Sequence, residues 1–374
     1  MPVTAAAARP RILHVETGRH LYGGARQVLY LLEALEGRGF DNLLVCTRGS
    51  ALAREAAGRV QTLPLPWHGE LDLLAAGRLL AVLRRERPAL VHAHSRRGAD
   101  WHTAVAAALA GVPAVVTRRV DNPESGLAVR WRYRRYARVI AISGAIAAGL
   151  ERDIGPSLPA LARIPSAVDT GRFRPGGDRA WLAAEFDLSP DQPVLAMVAQ
   201  FIPRKGHALL LEALPQVWAR HPGVVCLLLG QGPGRQALAR EIEVRGWSAR
   251  LRLPGFRHDL PRILPAVDAL VHPAFTEGLG VALLEAAACA LPVVAAAVGG
   301  ATDVVLDGET GLLVPPGDAR ALAGALCRLL DAPELGRRLG VAGLDRVVRQ
   351  FSVAAMADAH ATLYRELLEE NPSP

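Results

Sequence analysis

Two carboxylates, Glu277 and Glu285, stand eight positions apart in FTEGLGVALLEAAACALPVVAAAVGG, with Gly278 and Gly280 between them where a helix would start. If all eight residues were helical they would rise roughly 12 Å, or two turns. With Glu277 in the loop and Glu285 inside the helix, the pair can still face one elongated ligand. The turn Gly278, Leu279, Gly280, Val281 leaves backbone N–H groups at the positive end of the helix dipole, which favours a diphosphate. One acid would then accept sugar hydroxyls and the other ribose hydroxyls, as a sugar nucleotide requires. An amphipathic helix with incidental acids is the plainer alternative. A matching cation stands in FIPRKGHA: Lys205 is the only lysine among 43 basic residues, beside Arg204 and Gly206. A compact, mobile ammonium is suited to gripping a phosphate.

Other chemistry-bearing residues follow apolar runs. Gly23 and Gly24 come after RILHVE and before a helix, where a backbone can approach a phosphate or sugar closely. His92 and His94 lie on one face of the run LVHAHS, followed by Ser95 and Arg96. Zinc would need further ligands close by and none is evident, so a hydrogen bond to a polar ligand or a structural role is expected, with no metal. Arg118 and Arg119 follow PAVVT and are expected to point into a cleft and grip an anion. VRWRYRRYAR, residues 129–138, interleaves basic and aromatic residues on one helix, which suits either a membrane interface or a solvated helix with Trp131 turned inward. LLLGQGPGR resembles a dinucleotide loop, but its third glycine position is Arg235 and no acid follows at the expected distance, which disfavours a nicotinamide enzyme.

These positions need a scaffold, and the sequence supplies one. RILHVE, NLLVCT, LVHAHS, PAVVT and RVIAIS in the first half, then VLAMVAQ, VVCLLLG, LRLPG, ALVHPA and PVVAAA in the second, read as buried strands between amphipathic helices. Two such sets predict an α/β chain of two Rossmann-like parallel-sheet domains facing a central cleft, with ligands at the carboxyl ends of the strands. The boundary is expected in SAVDTGRFRPGGD, giving domains 1–170 and 171–352. Residues 1–172 carry 24 arginines against 14 acids, a net of +10, while the remainder is net −3. The basic half predicts an anionic partner, whether a membrane surface, a charged glycolipid or nucleic acid, with an ordinary solvated surface as the plainer alternative. Four scattered cysteines argue against a disulfide framework and fit a reducing cytoplasm; no run reads as a signal peptide or a membrane span.

At this point the residues resemble the retaining glycosyltransferases of family 4, which have the GT-B fold. The likeness rests on GG at 23–24, HAH at 92–94, RIPSAVDTGRF at 163–173, RKG at 204–206, GQGP at 230–233 and the spaced acids Glu277 and Glu285. The resemblance implies that Lys205 contacts the donor diphosphate, Glu285 the ribose hydroxyls and Glu277 the transferred sugar. It implies a donor site of Gly23, Gly24, Arg204, Lys205, Gly230, Phe256, Gly278, Leu279, Gly280, Val281 and Glu285. Catalysis would rest on Glu277, Lys205 and His94, and the acceptor on His94, Arg118 and Arg119. No metal or other cofactor is implied, and no nucleic-acid partner. The implied partners are a nucleotide sugar, a glycan or glycolipid acceptor such as lipopolysaccharide core, and an anionic membrane met peripherally by the basic half. The last helix, within 353–374, is expected to cross back onto the first domain. Two departures stand out: Gln200 replaces a frequent arginine, and Ser166-Ala167 replaces an Asn-Gly pair. A sugar-nucleotide epimerase, a two-carboxylate glycosidase and a non-catalytic sugar-nucleotide binder remain as rivals.

Overall fold

The computed structural model describes residues 9–20, 23–70, 72–94 and 98–371; Ser95 and Arg96 lie outside them. The chain divides into two compact units, Met1–Ala167 with Val353–Pro374, and Val168–Ser352.

The first unit holds β1 (Arg11–Glu16), β2 (Asp41–Thr47), β3 (Gln61–Leu65), β4 (Leu90–Ala93), β5 (Ala114–Arg118), β6 (Arg138–Ala141) and β7 (Leu161–Arg163), in the order β3-β2-β1-β4-β5-β6-β7. The second holds β8 (Val194–Val198), β9 (Val225–Leu229), β10 (Leu251–Gly255), β11 (Ala269–His272), β12 (Val293–Ala296) and β13 (Leu312–Val314), in the order β10-β9-β8-β11-β12-β13. Every pairing between these strands is parallel. Central strands such as β9, β11 and β12 are buried along their whole length, because helices cover both faces. All ten runs expected as strands are strands. The three that were not expected, β3, β7 and β13, are three of the four sheet edges, β10 being the fourth. β3 is partly exposed and carries Pro64, which an edge tolerates because it owes no ladder hydrogen bond on its open side.

Strand order reverses once in each sheet, between β1 and β4 in the first and between β8 and β11 in the second. Loops leaving two such neighbours go to opposite sides, so a crevice opens at their carboxyl ends. Each unit therefore gathers its polar side chains at one predictable place.

The helix Val353–Glu370 belongs to the first unit. Met356, Ala361, Leu363, Tyr364 and Leu367 form its buried stripe, and they pack with Ile12, Leu31, Leu35 and Leu90. Each such large side chain removed from water stabilises the fold by about 1.5–3 kcal/mol. Ion pairs Arg38–Asp358 (2.7 Å) and Arg138–Glu370 (2.6 Å) rim the contact and, being exposed on the acid side, add little. The segment read as one helix over 129–138 is shorter than expected: the helix is Leu127–Tyr133, and Arg138 already begins β6. Among the described residues, no helix is long and apolar enough to cross a membrane.

Candidate active site

Lys205 leaves the β8 side and Glu277 the β11 side of the second sheet's reversal, and they meet there. The Lys205 Nζ lies 2.5 Å from Glu277 Oε2, both groups being largely shielded from water. A third group joins them: His272, the last residue of β11, places Nε2 2.7 Å from the same oxygen. The other carboxylate oxygen, Oε1, accepts the N–H of Gly278 at 3.1 Å. Glu277 is 8 % exposed. Burial alone would raise its pKa, but the hydrogen bond from His272 and the charge and hydrogen bond of Lys205 overcome that and hold the carboxyl well below the usual carboxylate range. The carboxylate is thus ionised, with donors on both of its oxygens.

Glycine makes this convergence possible. Gly206, at φ +78°, is pressed against the Pro273 carbonyl, where any side chain would collide. Phe275 donates its N–H to the Arg204 carbonyl at 2.8 Å, which ties the Lys205 turn to the loop carrying Glu277. From the far side Gly299 and Gly300 press on the backbone of Glu277 and Gly278, and Gly300 donates its N–H to the Glu277 carbonyl at 3.0 Å. Neither Gly299 nor Gly300, nor His272, was singled out in the sequence. The signal for the first two was the GG pair closing the same run; His272 was visible only as the last residue of a strand.

The remaining donor-side positions surround this centre. Gly280, at φ +94°, opens the helix Val281–Ala288 with no side-chain cap, so its first N–H groups face the turn where Gly278 and the buried Leu279 lie. Glu285 is on that helix, partly buried, and Glu277 is in the loop before it. Gly230 is closed against the Ala199 carbonyl and donates to Gly255 O at 2.8 Å, which stitches the loops after β8, β9 and β10 together. Phe256 follows β10 with half its surface exposed (51 %). Gln200 and Arg204 are both exposed, so Arg204 remains available where Gln200 offers no charge.

In the first unit the reversal between β1 and β4 gathers imidazoles. His92 and His94 on β4 are joined by His14 of β1, which the sequence reading had not counted. His14 Nδ1 lies 2.9 Å from His94 Nε2, and His14 Nε2 3.2 Å from Asn42 Oδ1. His92 bonds Tyr364 Oη at 2.6 Å and Thr117 Oγ1 at 2.7 Å. Nitrogens of these three rings come within 4.8 Å of one another, close enough to consider a metal. Their partners are each other, hydroxyls and an amide, so the arrangement is that of a neutral hydrogen-bond network. The paired arginines diverge, contrary to the expectation that both point into a cleft. Arg118 turns into a buried ionic cluster, 3.4 Å from Glu124, which also holds Arg132 (2.6 Å) and Tyr133 (2.7 Å). Arg119 instead lies along Gly24, where a side chain would touch it, and reaches Ser166 Oγ at 3.2 Å.

Burial pulls His14 down to about 3 and His360 to about 4, and lowers His92 and His94 well below the ordinary histidine value. The unfolded chain therefore binds more protons below pH 6.5, and the stability these rings contribute is present above that pH and lost as pH falls toward 4. From pH 6.5 to 5, His14 and His360 alone cost about 2 kcal/mol each. Melting temperature should fall steeply over that range, and less so in His360→Leu; a wild-type melting temperature flat from pH 7.5 to 5 would contradict the neutral network.

The comparisons with known proteins agree with this architecture. Residues 22–172 match the family described as Glycosyltransferase Family 4, and residues 181–346 match Glycosyl transferases group 1. The lipopolysaccharide core biosynthesis glycosyltransferase LpsE of Rhizobium meliloti is 30 % identical over 97 % of this chain and 100 % of its own length. The GDP-mannose-dependent alpha-(1-6)-phosphatidylinositol monomannoside mannosyltransferase of Mycolicibacterium smegmatis is 37 % identical over 50 % of this chain, a match that spans only 52 % of that protein. Among solved structures, Anabaena HepE, crystallised with UDP and glucose, superposes with a TM-score of 0.83 at 21 % identity, covering 95 % of this chain and 99 % of its own. The chain belongs to glycosyltransferase family 4 and has the GT-B fold. It is an enzyme, a glycosyltransferase.

Proposed function

We propose that this enzyme moves a sugar from a nucleoside-diphosphate sugar to a hydroxyl of a glycan or glycolipid, retaining the anomeric configuration and using no metal or other cofactor. The observation that carries the reading is the Lys205–Glu277 contact of 2.5 Å, held at a glycine turn that opens a helix. In the reaction the anomeric carbon–phosphate oxygen bond breaks as the acceptor oxygen–carbon bond forms on the same face. The acceptor proton passes to the departing phosphate oxygen. Negative charge grows on that diphosphate, and Lys205, Arg204 and the N–H groups following Gly280 are the donors available to meet it. Glu277 accepts hydroxyls of the sugar and Glu285 those of the ribose, while exposed Phe256 offers a face to the base. His94 and Arg119 serve the acceptor; Arg118, being engaged by Glu124, serves it only by shaping the unit.

The relatives' names support an envelope acceptor, since one acts in lipopolysaccharide core synthesis and another on a phosphatidylinositol glycolipid. In the first unit Leu127 (84 % exposed) and Trp131 (41 %) stand among exposed Arg130, Arg134 and Arg135. That mixture suits peripheral contact with anionic lipid at the cytoplasmic face of a membrane. The test is a thermal-shift series with UDP, GDP, ADP and their sugars, followed by transfer assays with the best donor. One nucleotide should raise the melting temperature, and its sugar should be consumed faster with acceptor present. Failure of every diphosphate to stabilise the protein refutes the reading, and consumption indifferent to acceptor favours an epimerase.

A further inference from the structure

Glu277 is held by two partners of different character. Lys205 reaches it on a flexible four-carbon stem from a loop, and the diphosphate role asks that same ammonium to face phosphate oxygens. His272 reaches it from the end of a buried central strand, 2.7 Å away, with no freedom to leave. Because an ionised carboxylate only accepts, His272 must carry its proton on Nε2. Among the described residues its buried Nδ1 has no hydrogen-bond partner, so a proton there would be stranded, which leaves Nε2 as the nitrogen that carries one. Nearby His207 is kept neutral mainly by burial, which pulls its pKa to about 4.

We propose that His272 is a positioning residue, which keeps the Glu277 carboxylate aimed at the transferred sugar once Lys205 has turned to the donor diphosphate. Nothing else among the described contacts of the Glu277 side chain could do this, because the remaining one, to the Gly278 N–H, is made within its own loop and fixes only Oε1. The inference rests on Glu277 acting on the donor sugar.

The experiment measures slow release of nucleoside diphosphate into water from UDP-glucose, UDP-galactose, GDP-mannose and ADP-glucose, using the fastest of these with each variant. His272→Ala should lower kcat about tenfold to a hundredfold with KM nearly unchanged. His272→Gln, whose amide N–H can replace the lost donor, should recover part of the loss. In a Glu277→Gln background, adding His272→Ala should cost nothing more, because both changes remove one function. Independently of any donor, 15N-histidine spectra should show His272 as the Nε2–H tautomer with and without inorganic pyrophosphate, its signal assigned by its loss in His272→Gln. An unchanged kcat in His272→Ala, multiplicative losses in the double variant, or an Nδ1–H tautomer would each overturn the proposal. If Glu277→Gln alone leaves release intact, the donor-site reading of Glu277 falls, and this role with it.

Discussion

Glu277→Gln eliminates sugar transfer, by a factor of about a thousand or more, while UDP or GDP binds nearly as before. The amide is close in size to the carboxylate but not in hydrogen bonding. Lys205 and His272 both approach Oε2, and the Gly278 N–H approaches Oε1. Whichever way the glutamine is turned, its NH2 faces a donor, so the side chain must rotate out of place. The nucleotide is spared because the predicted diphosphate contacts belong to Lys205, Arg204 and the backbone after Gly280. Transfer and nucleotide binding would be measured on one preparation whose melting curve shows it folded. Full activity in this variant would remove Glu277 from the reacting centre.

Lys205→Ala weakens binding of the preferred nucleoside diphosphate by about tenfold to a hundredfold, the value of a charge-assisted hydrogen bond of 1.5–3 kcal/mol. The corresponding nucleoside, which has no phosphate, loses almost nothing. Lys205→Arg is not expected to restore affinity, since a planar fork cannot enter the tight turn where Gly206 abuts Pro273 as an ammonium does. Titration calorimetry with UDP against uridine, or GDP against guanosine, reads the difference. Equal losses for both would place Lys205 away from the phosphates.

Much of the scaffold was readable because buried parallel strands are nearly pure apolar runs. β9, VCLLL, cannot be mistaken for a solvated segment. Three of the four edge strands escape the same logic: β7 and β13 have three residues each, and β3 carries a proline and partial exposure, so no apolar run announces them. At the site, the lone lysine among arginines and the glycine-spaced acids were conspicuous by type. His272 was not, because a histidine ending an apolar strand has the same local sequence whether it faces a carboxylate or the core. His14 stayed hidden for a related reason: its pairing with His94 spans 80 residues and exists only once β1 and β4 lie side by side. The divergence of Arg118 and Arg119 needed the positions of Glu124 and Ser166, which no local pattern encodes.

The placement of the helix Val353–Glu370 bears on biosynthesis. Its residues complete the apolar interior formed with Leu31, Leu35 and Phe40, and its Tyr364 hydroxyl is what the His92 ring bonds. A ribosome that has translated everything up to Ser352 has made the entire remainder of that module, yet has not delivered the piece that seals it. Until that helix emerges, the nascent chain carries an open greasy seam exposed to chaperones and proteases.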